Sequence, residues 1–171
     1  MAKTVVRDLA IGKIAEDRVA KLLQEISCTD IREVDKANRV FWDLMFTIDG
    51  AIHAAEIKND IYALRSGNIA IELYNPKLGK ESGLTSTKAD LWVFVVGEEV
   101  WASNTAMLRD YVAKNKPFRI IDSGGDNNAL LYLYKKDALM PGLFKRIDDI
   151  DAASRKAVIL AIYAEESDKC L

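Results

Sequence analysis

The chain has 171 residues, half of them hydrophobic, with a formal net charge of -2 and a single histidine. That is one domain's length with enough apolar material for a continuous core, and without the strongly basic balance that often marks nucleic-acid binding. With Cys28 and Cys170 far apart and only His53 to join them, the composition argues against a structural zinc site and for reduced thiols. The N-terminus has no apolar signal core, and no apolar run approaches the roughly 20 residues that span a bilayer. These features predict an intracellular, cytoplasmic protein.

In chain order, the first element is an amphipathic helix from about Arg7 to Ile26, where Ile11, Ala15, Leu22 and Ile26 recur at helical spacing. From Val40 to Ile48 the period changes to two. Asp49-Gly50 then signals a two-residue hairpin turn, with Ala51 to Lys58 as the returning strand. A third strand is expected at Asn68–Tyr74. A polar loop follows from Asn75 to Lys88, and a fourth strand at Asp90–Val96 is apolar enough for a buried central place. Ser103 or Asn104 can cap a helix running to about Lys114. Strands at Phe118–Ile121 and Ala129–Tyr134 flank a turn at Asp122–Asn128, and a helix from about Asp149 to Glu165 closes the chain. That helix carries an apolar face of Ile150, Ala153, Ala157 and Leu160 or Ala161, which either packs on the domain or forms a homodimer surface. The pattern predicts one mixed α/β domain over residues 1–171.

The hairpin register places the chemistry. If Asp49-Gly50 is a two-residue turn, Ile48 faces Ala51 and Asp43 falls opposite Glu56. Paired residues share a face with Cβ atoms roughly 4.5–5.5 Å apart, and Lys58, two residues on, shares it too. Facing carboxylates destabilise a sheet unless something cationic lies between them. A hard divalent cation, Mg²⁺ or Mn²⁺, suits such oxygen ligands and substrate phosphates, so Asp43 and Glu56 are candidate metal ligands. Lys58 beside them would position or help deprotonate an attacking water and stabilise developing charge. The alternative reading is a pair of half-exposed strands with solvated charges.

Asp43 with Glu56-Ile57-Lys58 resembles the signature of the PD-(D/E)XK nuclease superfamily, although Trp42 stands where the motif's name has proline. Ser66–Glu72 and Lys80–Trp92 look like segments of small phage-type members. The resemblance implies a restriction-endonuclease-like mixed sheet flanked by helices, and a metal-dependent nuclease, an endonuclease acting on DNA in a bacterial host. It also implies an acid from the first helix, which Glu16 matches. Glu72 is a further active-site candidate if its strand neighbours the hairpin. Lys80, Ser82, Thr85, Ser86, Thr87 and Lys88 are the candidate phosphate contacts, since hydroxyls and ammonium groups position nucleic-acid backbones. His53 alternates away from Glu56, and Trp42, Trp92 and Trp101 read as core aromatics. The competing functions are a non-catalytic nucleic-acid-binding module and a structural or protein-interaction domain.

Overall fold

The computed structural model describes residues 2–35, 41–123 and 129–167. Its elements are α1 (Ala2–Glu25), β1 (Thr29–Glu33), β2 (Leu44–Ile48), β3 (Ala51–Asn59), α2 (Ala63–Ser66), β4 (Asn68–Asn75), β5 (Lys80–Glu81), β6 (Leu91–Val96) and β7 (Glu99–Asn104). They continue with α3 (Thr105–Lys114), β8 (Arg119–Asp122), β9 (Leu130–Lys135), α4 (Lys136–Leu143), β10 (Lys145–Arg146) and α5 (Ala152–Ser167). A single 3-10 turn, Gly83–Thr85, lies between β5 and β6.

The strands form two sheets. The larger has the order β1-β2-β3-β6-β7-β10, and the smaller β5-β4-β9-β8. The larger is mixed, because β3 and β6 run parallel while its other neighbours are antiparallel. The smaller is antiparallel throughout. The molecule is therefore mixed α/β, with a mixed sheet flanked by helices. No helix among the described residues is long and apolar enough to cross a membrane.

The hairpin turn follows the residue chemistry. Asp49 and Gly50 take φ of 48° and 82°, the positive pair a type I′ turn needs, and Ile48 pairs with Ala51. β6 is buried at all six positions, as a central strand should be. Its alternate side chains feed two cores. Leu91, Val93 and Val95 join Ala15, Val19 and Leu23 of α1 and Ile159 and Ile162 of α5. Trp92, Phe94 and Val96 join Ile69 and Ile71 of β4, Leu108 of α3 and Phe144. The larger sheet thus has α1 and α5 on one face and the smaller sheet on the other.

Several expectations are corrected. Residues 41–43 are not strand, and Val40 lies outside the described residues, as does the Gly124–Asn128 part of the expected turn. β4 does not join the hairpin's sheet. The chain leaves β3 through a tight turn at Asp60, whose carboxylate accepts hydrogen bonds from the Ala63 and Ala70 amides (both 3.0 Å). That turn carries β4 across to a second layer. On α5 the expected face of Ala153, Ala157 and Ala161 is exposed, and Arg155, Ile159 and Ile162 are buried instead. The helix is apolar around much of its circumference, and the larger isoleucines gain more than alanines from leaving water. Arg155 can be buried because each of its three guanidinium nitrogens has a partner: it donates to the Ile147 and Ile150 carbonyls (2.6 and 2.9 Å) and to Glu25 (2.6 Å).

Candidate active site

Glu56 and Lys58 sit at the C-terminal half of β3. Their parallel partners on β6 are Trp92 and Phe94, so they point towards the smaller sheet. Glu56 is only 5 % exposed and would be costly to bury alone. Its oxygens are divided between two donors. Lys58 Nζ donates to Oε1 at 2.5 Å, and Thr87 Oγ1 lies 3.1 Å from Oε2. A carboxylate has about four lone-pair sites, so both bonds leave capacity for a further ligand.

Asp43 lies one residue before β2. Its amide hydrogen-bonds to the carbonyl of Ala55 (2.9 Å), the residue already paired with Leu44. The ladder therefore ends in a bulge-like step, and Asp43 is not in a regular pair with Glu56 as the register alone predicts. Bulges re-aim side chains. Here the Asp43 carboxylate swings across so that Oδ2 accepts from the Ile57 amide at 2.7 Å, while its carbonyl accepts from Val34 (3.2 Å). The two acids are still neighbours. Burial, then the charge of Glu56, with a smaller push from Glu16, raises the Asp43 carboxyl from 3.8 to about 6 against the opposing pull of Lys58 and the Ile57 amide.

Lys58 is also shifted upward, which for a lysine favours the charged form. Burial would lower the Lys58 pKa, but the charges of Glu56 and Asp43, the hydrogen bond to Glu56 and a contribution from Glu72 together raise it above 10.5. Lys58 is thus an ammonium ion at neutral pH. Glu16, 9 % exposed on α1, is the second acid, after Glu56, whose charge reaches Asp43. Glu72 reaches Lys58 from β4 of the other sheet, across a pocket they line together. The anticipated nearness of Glu72 is present, by facing sheets and not by adjacent strands.

The polar loop divides. Lys80 and Lys88 are exposed, the latter with its ammonium 4.1 Å from the Phe41 ring centroid. The hydroxyls are turned inward. Thr85 Oγ1 faces the Ser82 and Leu73 carbonyls with one proton between them, Ser86 Oγ lies 3.2 Å from the Gly83 carbonyl, and the Ser82 hydroxyl is buried. Thr87 is 3 % exposed; its hydroxyl shares a single proton between the Phe41 carbonyl (2.6 Å) and Glu56, and receives the Ala89 amide (3.2 Å). It is placed to hold Glu56 and the approach to Asp43, not to meet a phosphate. Arg109 of α3 fixes this loop from below, donating to the Leu84 carbonyl at 3.0 Å and to that of Thr87 at 2.5 Å. Neither role was visible in the sequence, where Thr87 is 31 residues from Glu56; the one signal was a hydroxyl three residues before the Asp90 that heads an apolar strand.

His53 points away from the acids. Its ring stacks on Tyr163 at 3.8 Å, and Nδ1 is 3.5 Å from Asp90 Oδ2. Trp92 is fully buried, whereas Trp42 and Trp101 are partly exposed.

No family model, no curated protein and no solved structure matches this chain.

The donor set is all oxygen: Asp43 and Glu56, with Glu16 behind them. Among the described residues no three His, Cys, Asp or Glu side chains are gathered as a ready cation cage. Two carboxylates completed by water and a phosphate are the usual Mg²⁺ arrangement. A carboxyl lifted to about 6 by burial and then by a neighbouring carboxylate is an electrostatic condition that a cation relieves. The residues fit a hard divalent cation and do not fit zinc.

Proposed function

We propose that the chain is a metal-dependent nuclease of the PD-(D/E)XK type, on a restriction-endonuclease-like fold, hydrolysing phosphodiester bonds in DNA. The observation that carries this reading is the grouping of Asp43, Glu56 and Lys58 at one end of a hairpin, with Glu56 clamped by Lys58 and Thr87. A purely structural hairpin gains nothing from buried like charges, which cost stability.

Asp43 and Glu56 would hold Mg²⁺ or Mn²⁺. When bound, such an ion supplies Lewis-acid polarisation of the phosphate and a water more easily deprotonated. The chain's own residues do the rest. The Ile57 amide keeps one Asp43 oxygen turned inward and leaves the other for a ligand. Thr87 and Lys58 fix the Glu56 carboxylate so that no rotamer freedom is lost on binding. Lys58, held as an ammonium ion, acts as a donor: it orients the attacking water and stabilises charge growing on the phosphate oxygens. Glu16 and Glu72 support the site by shaping its field, and the exposed Lys80 and Lys88 offer backbone contacts.

The test is a nuclease assay on duplex, branched and single-stranded DNA with Mg²⁺, Mn²⁺ or EDTA. Cleavage with either ion and none in EDTA supports the reading; no cleavage of any substrate, with no Mn²⁺ binding, removes it.

A further inference from the structure

Beside Lys58, between the two sheets, lies a pocket of about 220 Å³, lined among others by Asp60, Tyr62, Glu72, Trp92 and Leu131. It has room for several waters, each of which takes about 30 Å³ in the liquid. Lys58 lines it too, with its ammonium 5.7 Å from the centroid of the buried Trp92 ring. Its rim is Tyr62, which is 66 % exposed, flanked by Ile61 and Leu64 at 40 % and 61 %.

An exposed aromatic ring on a fixed turn beside a pocket has a face free for a partner. The turn that carries Tyr62 is tied on three sides. The Asp60 amide donates to the Val95 carbonyl of β6 (2.9 Å), and its carboxylate receives the Ala63 and Ala70 amides. The Ser66 amide closes α2 onto the Tyr62 carbonyl at 2.9 Å. The Arg65 guanidinium lies 5.9 Å from the tyrosine ring centroid. The backbone that carries Tyr62 is therefore fixed beside a pocket that Lys58 of the proposed reaction centre also lines, with the ring left open to solvent.

We infer that Tyr62 is a stacking platform for an unpaired nucleobase next to the scissile phosphate, which makes the substrate single-stranded or locally unpaired DNA. This rests on the nuclease reading and narrows it. Every base has a π-face, so stacking is tolerant of sequence, but a base inside a duplex has both faces covered by its neighbours. The pocket accepts a ring only from a strand whose bases are free to turn out. Glu72 on the same wall supplies an acceptor suited to an exocyclic amine of cytosine or adenine. The phosphate attached to that nucleotide would then lie towards Lys58.

The test compares wild type, Tyr62→Phe and Tyr62→Ala, with fluorescence anisotropy of a labelled single-stranded oligonucleotide and of its duplex, Ca²⁺ replacing Mg²⁺. Tyr62 is at the surface, so both variants should fold, and circular dichroism checks this. Stacking predicts that Tyr62→Ala weakens single-strand binding roughly 5- to 100-fold, that Tyr62→Phe stays close to wild type, and that neither changes duplex binding. Single-strand affinity unchanged in Tyr62→Ala overturns the inference, as does an equal loss for both substrates. A parallel Mn²⁺ titration and cleavage assay on wild type separates the two claims. If wild type binds Mn²⁺ and cuts while Tyr62→Ala binds normally, only the stacking site fails. If wild type does neither while single-strand binding still depends on Tyr62, the nuclease reading fails and the base site stands.

Discussion

Replacing Asp43 by Asn removes a charge that the folded chain holds at a cost. Burial and the nearby Glu56 carboxylate raise the Asp43 carboxyl from 3.8 to about 6, which corresponds to ~3 kcal/mol of differential stability. The sign follows from proton linkage. Between about pH 4 and pH 6 the folded state binds more protons at this site than the unfolded state, so stability falls as pH rises through that window, and the full penalty applies above it. Asparagine keeps an oxygen that can accept from the Ile57 amide, so the local bond survives. Because the charge is shared between two acids, about half of the full figure is a fair lower expectation. In EDTA at pH 7.5, Asp43→Asn should be more stable than wild type by ~1.5–3 kcal/mol, on the order of 3–10 °C in Tm for a chain this long. The gain should shrink as pH falls from 6 to 4. Added Mg²⁺ or Mn²⁺ should raise the wild-type Tm and leave the variant's almost unchanged. The assay is a set of thermal and denaturant melts across pH, with and without metal. A variant less stable than wild type in EDTA at pH 7.5, or a gain equal at pH 4 and 7.5, would refute the reasoning.

The other predictions address the clamp, the lysine and the scaffold. Lys58→Met should abolish cleavage while Mn²⁺ binding at pH 8 survives, because it removes a cation from beside the acids and no ligand oxygen; isothermal titration beside a cleavage assay on single-stranded and duplex DNA checks this. Thr87→Val should weaken Mn²⁺ affinity and lower stability by about 1–3 kcal/mol, since the Phe41 carbonyl loses its buried hydroxyl and Glu56 one of its two contacts. Thr87→Ser should restore both. Gly83→Ala should destabilise and disturb the loop over Glu72, because Gly83 has φ of +54° and an added Cβ would lie 2.8 Å from the Glu72 Cβ; melts and Mn²⁺ titration report the two effects. Arg155→Met should cost about 2–3 kcal/mol by stripping the Ile147 and Ile150 carbonyls of their donor, with activity intact below the new melting temperature.

Local chemistry explains which parts of this structure could be read from the chain. Asp49-Gly50 needs positive φ at both positions, and that fixes the hairpin and its Ile48–Ala51 pairing. Asn104 was readable as a cap because its side chain competes for free amides, and its Oδ1 accepts from Ala106 and Met107 at the start of α3. The rest depends on long-range geometry. β7 returns through Gly97-Glu98 and has too little alternation in Glu99–Asn104 to stand out. α4 contains Pro141 and Gly142, residues that argue against a helix. The step that aims Asp43 at the Ile57 amide lies in an extra residue against Ala55, which no periodicity records. Thr87 and Glu72 reach the site from other segments, so their distance from Lys58 depends on how the two sheets face.

The most direct measurement of the central claim is cleavage of a labelled DNA panel by wild type and Glu56→Gln, side by side in Mg²⁺. Glutamine preserves the shape of the clamp between Lys58 and Thr87 and removes only the charge that would hold the ion. The account predicts cleavage by wild type, its loss in EDTA, and none by Glu56→Gln despite an intact fold. Equal cleavage by the two proteins would contradict it.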